Sequence, residues 1–191
     1  MSKTTKIIAL SGIDGSGKTT LSIWLMNYLE KNGYKVAVIH KDFSFYYYLK
    51  HKCLDENSTR VGMAFDYIKS VHDLVFQHKY DFIICDRCAL CYVSYGEKYG
   101  CTCIDLIVSI FKSIIQPDIV FFIDVDIDTA VKRIKMRNKK IKENENYHFL
   151  LEVSELYKKN ITKYFGDTVI VNGNDKTFYS EIIEKINLLI N

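Results

Sequence analysis

Three glycines, a lysine and two threonines lie close together near the start of the chain, in the stretch GIDGSGKTT. Gly12, Gly17, Lys18 and Thr19 have the spacing G-x-x-x-x-G-K-S/T, in which glycines allow backbone N–H groups to turn inward around a chain of phosphates. The lysine of such a loop reaches the outer phosphates, and the hydroxyl that follows it can bind Mg²⁺. The stretch is therefore predicted to bind a nucleoside triphosphate, and a simple glycine-rich turn is the less favoured interpretation.

A second chemical pair, Asp86 and Arg87, follows the apolar run 82–85. A carboxylate at the end of a buried strand can hold the Mg²⁺ that a phosphate loop needs, and a guanidinium can bind a transferring phosphoryl group. The alternative is a polar pair that caps a turn. Because a phosphate loop needs a second acidic ligand for its Mg²⁺, binding of the metal and the phosphoryl group is favoured over a turn cap.

Alternating strands and helices are predicted to position these residues. Apolar runs at 7–10, 35–39, 81–85, 119–123 and 168–171 predict five strands, and helical spacing occurs at 19–31, 60–77, 102–116, 127–137, 147–164 and 178–190. Such alternation predicts an α/β fold with a mostly parallel sheet that is covered on both faces. Ligands of these sheets bind beyond the carboxyl ends of the strands, where Gly12, His40 to Asp42 and Asp86 should meet.

The composition indicates the broad class of protein. With 191 residues, 48% of them hydrophobic, the chain fits one α/β domain. The net charge of +3 is mild, and no long aromatic-interleaved basic stripe indicates binding to a nucleic acid polymer. No signal-like or membrane-spanning segment is evident, so we expect a cytoplasmic protein with a small-molecule partner and no membrane contact.

Five of the six cysteines fall between Cys85 and Cys103. Their spacing permits a metal site, but Cys85 ends an apolar strand, and structural zinc usually joins two paired knuckles separated by a loop. Reduced, buried thiols are therefore the favoured interpretation.

Four segments together resemble the thymidylate kinase family: GIDGSGKTT, the Asp-Arg pair, QPDIVFFIDVDIDTAVKRIKMR and VIVNGND. The resemblance extends from the first strand to the last helix. It implies a P-loop kinase fold in a single domain over 1–191, with a five-stranded parallel sheet flanked by helices and a basic lid at about 134–146. It also implies transfer of the ATP γ-phosphate to a monophosphate acceptor, and it suggests a homodimer.

The resemblance assigns roles to individual residues. Thr19 and Asp86 are expected to bind Mg²⁺, and Asp14 matches a loop carboxylate near the acceptor sugar. The residues expected to bind ATP are Gly12, Asp14, Gly15, Ser16, Gly17, Lys18, Thr19, Thr20, Arg133, Asn172 and Asn174. The catalytic residues are expected to be Lys18, Asp86, Arg87 and Arg137. Arg137 is chosen because the phosphate loop has Ser16 and no arginine, so the lid, which also contains Lys139, Lys140 and Lys142, must supply a cation.

Departures from the family pattern concentrate on the acceptor side. Met63 and Tyr67 stand where the family has a phenylalanine that stacks on thymine and an arginine that binds the acceptor phosphate. Arg60 could supply a displaced phosphate contact, and the aromatic residues of 43–48 could stack on a ring. The expected acceptor-binding residues are Asp14, Lys41, Asp42, Arg60, Tyr67, Arg87 and Tyr95.

The sequence thus predicts an ATP-dependent phosphotransferase whose acceptor is a nucleoside monophosphate or a nucleotide-like molecule. A kinase of the same fold that phosphorylates a hydroxyl of a nucleoside or another small metabolite stays open, and Asp42 could then orient the hydroxyl. A nucleotide-binding switch is the third hypothesis, but no Asn/Thr-Lys-x-Asp guanine motif is present. The five histidines show no ligand spacing and are interpreted as surface or packing residues.

Overall fold

The computed structural model describes residues 5–40, 55–114, 116–137, 140–175 and 177–190. A five-stranded sheet forms its centre, with the strand order β2-β3-β1-β4-β5 and parallel pairing throughout. Its strands are β1 (Lys6–Ser11), β2 (Val36–Ile39), β3 (Phe82–Cys85), β4 (Ile119–Asp124) and β5 (Val169–Asn172). The predicted five-stranded parallel sheet is confirmed.

Helices flank this sheet on both faces. The described helices are α1 (Lys18–Lys31), α2 (Glu56–Val75), α3 (Ala89–Lys98), α4 (Ile104–Lys112), α5 (Ile127–Lys135), α6 (Tyr147–Tyr164) and α7 (Phe178–Ile190), with a 3-10 turn at Glu143–Glu145. Consecutive residues of β1 and β3 are buried, although their side chains point alternately to opposite faces. Both faces of the central strands are therefore covered.

The structure corrects the sequence-based helices at two places. The prediction had no helix between Asp86 and Thr102, whereas α3 lies there. Its residues 90–96 are all buried, so the segment lacks the polar face that produces a helical period in the sequence. Helix α2 starts at Glu56, before the predicted start, because the Asp55 side chain caps it by accepting a hydrogen bond from the Ser58 N–H at 3.0 Å.

The strand order places the end of β1 at the centre of one edge of the sheet. β1 pairs with β3 on one side and with β4 on the other, so the loop that follows Ser11 lies between the carboxyl ends of both neighbours. The chain passes from β3 to β4 across β1, which makes this edge the topological switch point where such sheets bind ligands. Within the described residues, no helix is long and apolar enough to cross a membrane.

Candidate active site

The phosphate loop joins β1 to α1, and its glycines have backbone conformations that other residues rarely adopt. Gly12, Gly15 and Gly17 have φ values of 145°, 87° and 101°. A Cβ atom at Gly15 would lie 2.5 Å from the Ala130 carbonyl oxygen of α5, and one at Gly12 would lie 2.8 Å from that of Ile123 in β4. Glycine is thus required both by the turn and by the close approach of the neighbouring backbone.

Lys18 is the first residue of α1, and its ammonium group lies inside the loop. Nζ donates hydrogen bonds to the carbonyl oxygens of Gly12 and Ile13, each at 2.8 Å, and to Ser16 Oγ at 3.3 Å. Burial and, secondarily, the positive charge of Arg87 lower the pKa of Lys18. The N-terminus of α1 adds partial positive charge here, so the loop has the features of an anion site.

Asp86 follows β3 and faces the loop. The Thr19 hydroxyl donates to Asp86 Oδ2 at 2.6 Å, and His40 Nδ1 lies 3.5 Å from the same oxygen. A hydroxyl from the first turn of α1 and a carboxylate from the end of β3 are hard oxygen ligands of the kind that Mg²⁺ prefers. Thr19 and Asp86 therefore fit the Mg²⁺ that the sequence predicts.

Arg87 pairs with the opposite side of the loop. Its Nη2 lies 2.8 Å from Asp14 Oδ1, and its guanidinium lies 5.8 Å from the ring centroid of Tyr95. Burial acts to lower the pKa of Arg87, but the Asp14 carboxylate, together with Cys91, Tyr95 and Tyr157, outweighs it and raises this pKa, so the guanidinium stays charged. The Tyr95 hydroxyl accepts a hydrogen bond from the Asp14 N–H at 3.2 Å.

The turn after β5 is tied to the phosphate loop by Arg133 of α5. Its guanidinium donates to the Ser16 carbonyl at 3.3 Å and to the Gly173 carbonyl at 2.9 Å. Within the turn, the Asn174 N–H donates to Asn172 Oδ1 at 3.1 Å. Three predicted ATP-binding segments are thus adjacent, whereas Thr20 is exposed on α1.

Arg137 lies just beyond α5, apart from these contacts. Its Nη1 is 4.0 Å from Glu145 Oε1, and its side chain is 45% exposed. The ion pair links the two ends of the predicted lid. Lys139 lies outside the described residues, and Lys140 and Lys142 are exposed.

A cavity opens beside Asp86 and Arg87. It is lined by Ile39, His40, Tyr67, Ser70, Asp86, Arg87 and Tyr92. Burial, together with the nearby thiol of Cys85, raises the pKa of Tyr67, so its hydroxyl stays protonated. Because this cavity adjoins the residues that face the phosphate loop, it is the candidate acceptor site.

Other predicted acceptor residues are placed differently. Arg60 is buried on α2 and does not line this cavity: its guanidinium pairs with Glu56 and lies 4.7 Å from the ring centroid of Tyr99. Tyr95 contacts the loop backbone. Lys41, Asp42 and the aromatic residues of 43–48 lie outside the described residues.

The sequence reasoning placed His40 at the ligand-binding edge but gave it no role, and it missed Ser70, Tyr92 and Tyr157. The signal for His40 was its position at the end of β2, on the ligand-binding edge. Ser70 and Tyr92 belong to α2 and α3, and only the packing of these helices brings them to the cavity. Tyr157 is fully buried in α6, and its hydroxyl donates to the Gly12 carbonyl at 3.1 Å.

The described cysteines are free thiols. Cys85, Cys88, Cys91 and Cys101 are buried, and Cys103 is partly buried. Burial raises the pKa of Cys85 to about 12. Over the described residues, no group of three or more His, Cys, Asp or Glu side chains has the arrangement of a metal site.

The fold and the loop together define a P-loop kinase. The chain matches the thymidylate kinase family over residues 10–186, and it belongs to that family of ATP-dependent kinases. The family resemblance seen in the sequence is confirmed.

Similar proteins cover nearly the whole chain. A probable thymidylate kinase of Staphylothermus marinus is 29% identical over 95% of this chain and 94% of its own length, and one of Thermoplasma acidophilum is 30% identical over 94% of each. A solved deoxyadenosine kinase from M. mycoides has the same fold, with a TM-score of 0.67 at 20% identity, covering 95% of this chain and 98% of that one.

Proposed function

We propose that this kinase transfers the γ-phosphoryl group of ATP to a nucleoside monophosphate or a similar nucleotide-like acceptor. The observation that carries the proposal is the placement of two consecutive residues, Asp86 and Arg87. Each contacts the phosphate loop, through Thr19 and Asp14 respectively, and each also lines the cavity. They stand where a donor phosphate and an acceptor would meet.

The donor side is proposed to work by positioning and by charge neutralisation. The loop N–H groups and Lys18 would hold the phosphates, and the turn at Asn172 and Asn174 would lie against the adenine. Thr19 and Asp86 would hold Mg²⁺, which supplies positive charge to the phosphate oxygens. Because the oxygens of the transferring phosphoryl group carry negative charge in the transition state, Arg87 would stabilise them from the acceptor side.

The segment at about 134–146 is proposed to act as a lid. Its half-exposed Arg137 pairs with Glu145 at 4.0 Å, a distance at which the interaction is weak. Exchange of this carboxylate for a donor phosphate would bring a second guanidinium to the reaction. A homodimer and a cytoplasmic location stay predictions from the family resemblance and the sequence.

A hydroxyl acceptor is the second candidate, because the described part of the cavity carries little positive charge. Of the described residues that line it, Arg87 alone has a guanidinium, and that group is paired with Asp14. By the family resemblance, Tyr67 stands where the family has an arginine, and Arg60 is engaged with Glu56. These contacts suit a neutral nucleoside or another small metabolite better than they suit a dianionic phosphate.

The test is ADP formation from ATP and Mg²⁺ with a panel of nucleoside monophosphates, nucleosides and sugar-like metabolites, thymidylate included. Turnover with a monophosphate supports the first proposal, and turnover with nucleosides or sugars alone supports the second. Slow ATP hydrolysis that no acceptor changes would contradict both and would favour a nucleotide-binding switch. The Lys18→Ala variant is the control for contaminating kinases.

A further inference from the structure

Tyr157 is the buried residue of α6 whose hydroxyl reaches the phosphate loop. Its ring centroid lies 5.2 Å from that of Phe122 in β4 and 6.2 Å from that of Tyr95 in α3. The hydroxyl donates a hydrogen bond of 3.1 Å to the Gly12 carbonyl oxygen. Because the ring is packed between a strand and a helix, the hydroxyl is held at one place beside the loop.

The same carbonyl oxygen also accepts a hydrogen bond from Lys18. The ammonium group uses its donors inside the loop, on the carbonyl oxygens of Gly12 and Ile13 and on Ser16 Oγ. A phosphate that binds Lys18 must therefore replace some of these contacts. A buried carbonyl that loses its donor without replacement is unfavourable, and this cost would oppose phosphate binding.

Each of the two carbonyl groups has a second donor that does not depend on Lys18. Ile13 accepts a hydrogen bond from the Ser16 N–H at 3.1 Å, within the loop itself. Gly12 accepts one from Tyr157, whose position in the sequence is 145 residues away. When the ammonium group turns to a phosphate, both carbonyl groups can keep a partner.

We propose that Tyr157 is a positioning residue for ATP binding, which keeps the Gly12 carbonyl hydrogen-bonded when Lys18 leaves it for the donor phosphates. This inference rests on the proposed use of the loop for ATP. Helix α6, which follows the lid, would then contribute to the affinity for ATP through one hydroxyl group. The phosphate-loop motif does not contain this residue.

The test compares the wild-type protein with Tyr157→Phe, which removes the hydroxyl and keeps the ring. The Kd of the β,γ-imido analogue of ATP, with Mg²⁺, is measured by titration calorimetry at a temperature where both proteins are folded. We expect the Kd to rise about tenfold, the effect of one buried hydrogen bond. The Tm of the nucleotide-free protein should change little, because Lys18 still bonds to Gly12 in that state.

Tyr164→Phe is the matched control, since Tyr164 lies on the same helix and its hydroxyl donates to Asp105. Its Kd for the analogue should equal that of the wild type. A Kd for Tyr157→Phe within twofold of the wild-type value, or a rise that Tyr164→Phe shares, overturns the inference. A wild-type protein that does not bind the analogue contradicts the proposed function instead.

A measurement on the wild-type protein covers the case in which Tyr157→Phe does not fold. The hydroxyl proton of Tyr157 is observed by NMR with and without the ATP analogue. Slow exchange with solvent in the bound state is expected if the hydrogen bond to Gly12 persists. Fast exchange in that state overturns the inference.

Discussion

The donor and acceptor sides of the site are built in different ways. On the donor side, the contacts of Lys18 stay within a few residues of chain and end mostly on backbone carbonyl groups. On the acceptor side, the cavity collects side chains from β2, α2, the end of β3 and α3. The phosphate loop itself is therefore a local backbone structure, to which Arg133 and Tyr157 add contacts from distant helices, whereas the acceptor site as a whole depends on how distant helices pack. Changes on the donor side should affect every acceptor alike, and changes in the cavity should discriminate between acceptors.

Lys18→Ala tests the donor side with the largest expected effect. The change removes the buried cation that is proposed to bind the phosphates, and we expect kcat to fall about 10³-fold with every acceptor. ADP formation under saturating substrates is the measurement, with Lys31→Ala, at the exposed end of α1, as the control. A loss confined to one acceptor would contradict the division between the two sides.

Asp86→Asn probes the residue that joins both sides. The substitution keeps the size of the side chain and removes the charge that is proposed to hold Mg²⁺ beside Thr19. We expect kcat to fall about 100-fold, with a higher Mg²⁺ concentration needed for half-maximal rate. Asp73→Asn, in an exposed ion pair of α2, is the control. An unchanged Mg²⁺ dependence would argue against Asp86 as a ligand.

Gly173→Ala tests whether the turn after β5 must pack closely to serve the donor side. A Cβ atom there would lie 2.5 Å from Ile123 Cγ2, so we expect the free energy of unfolding to fall by about 1–3 kcal/mol. The KM for ATP should rise as well, and the KM for the acceptor should stay unchanged. Gly166→Ala, which meets no atom within 4 Å, should change stability by less than about 0.5 kcal/mol in denaturant titrations.

Tyr67→Phe has the smallest expected effect and the most selective one. Loss of the hydroxyl should change the KM of the acceptor by about two- to tenfold and leave the KM of ATP unchanged. Because the pKa of Tyr67 is raised, its hydroxyl keeps its proton to a higher pH than the hydroxyl of an exposed tyrosine does. The wild-type KM of the acceptor should therefore show no contribution from Tyr67 between about pH 7 and about pH 9. Equal changes for ATP and acceptor would place Tyr67 outside acceptor binding.

Features formed by residues close in sequence were predicted, and features formed by packing between distant elements were missed. The strands were found because parallel strands buried on both faces are continuous apolar runs, and the phosphate loop because its residues are close in sequence. Helix α3 was missed because it is buried on nearly all sides and has no polar face. His40 is an exposed surface residue, as interpreted, and its ring also lies 3.5 Å from Asp86, a contact that the sequence does not indicate.

The sequence by itself determined the fold class, the family and the placement of the chemistry at the carboxyl edge of the sheet, because these depend on local periodicity and short motifs. The tertiary structure decided which side chains share the cavity, where Arg60 is engaged and that Tyr157 reaches Gly12. These contacts join residues far apart in the chain, and their geometry arises only when helices pack against the sheet. A single buried hydroxyl from α6 thus becomes part of the phosphate loop through packing alone.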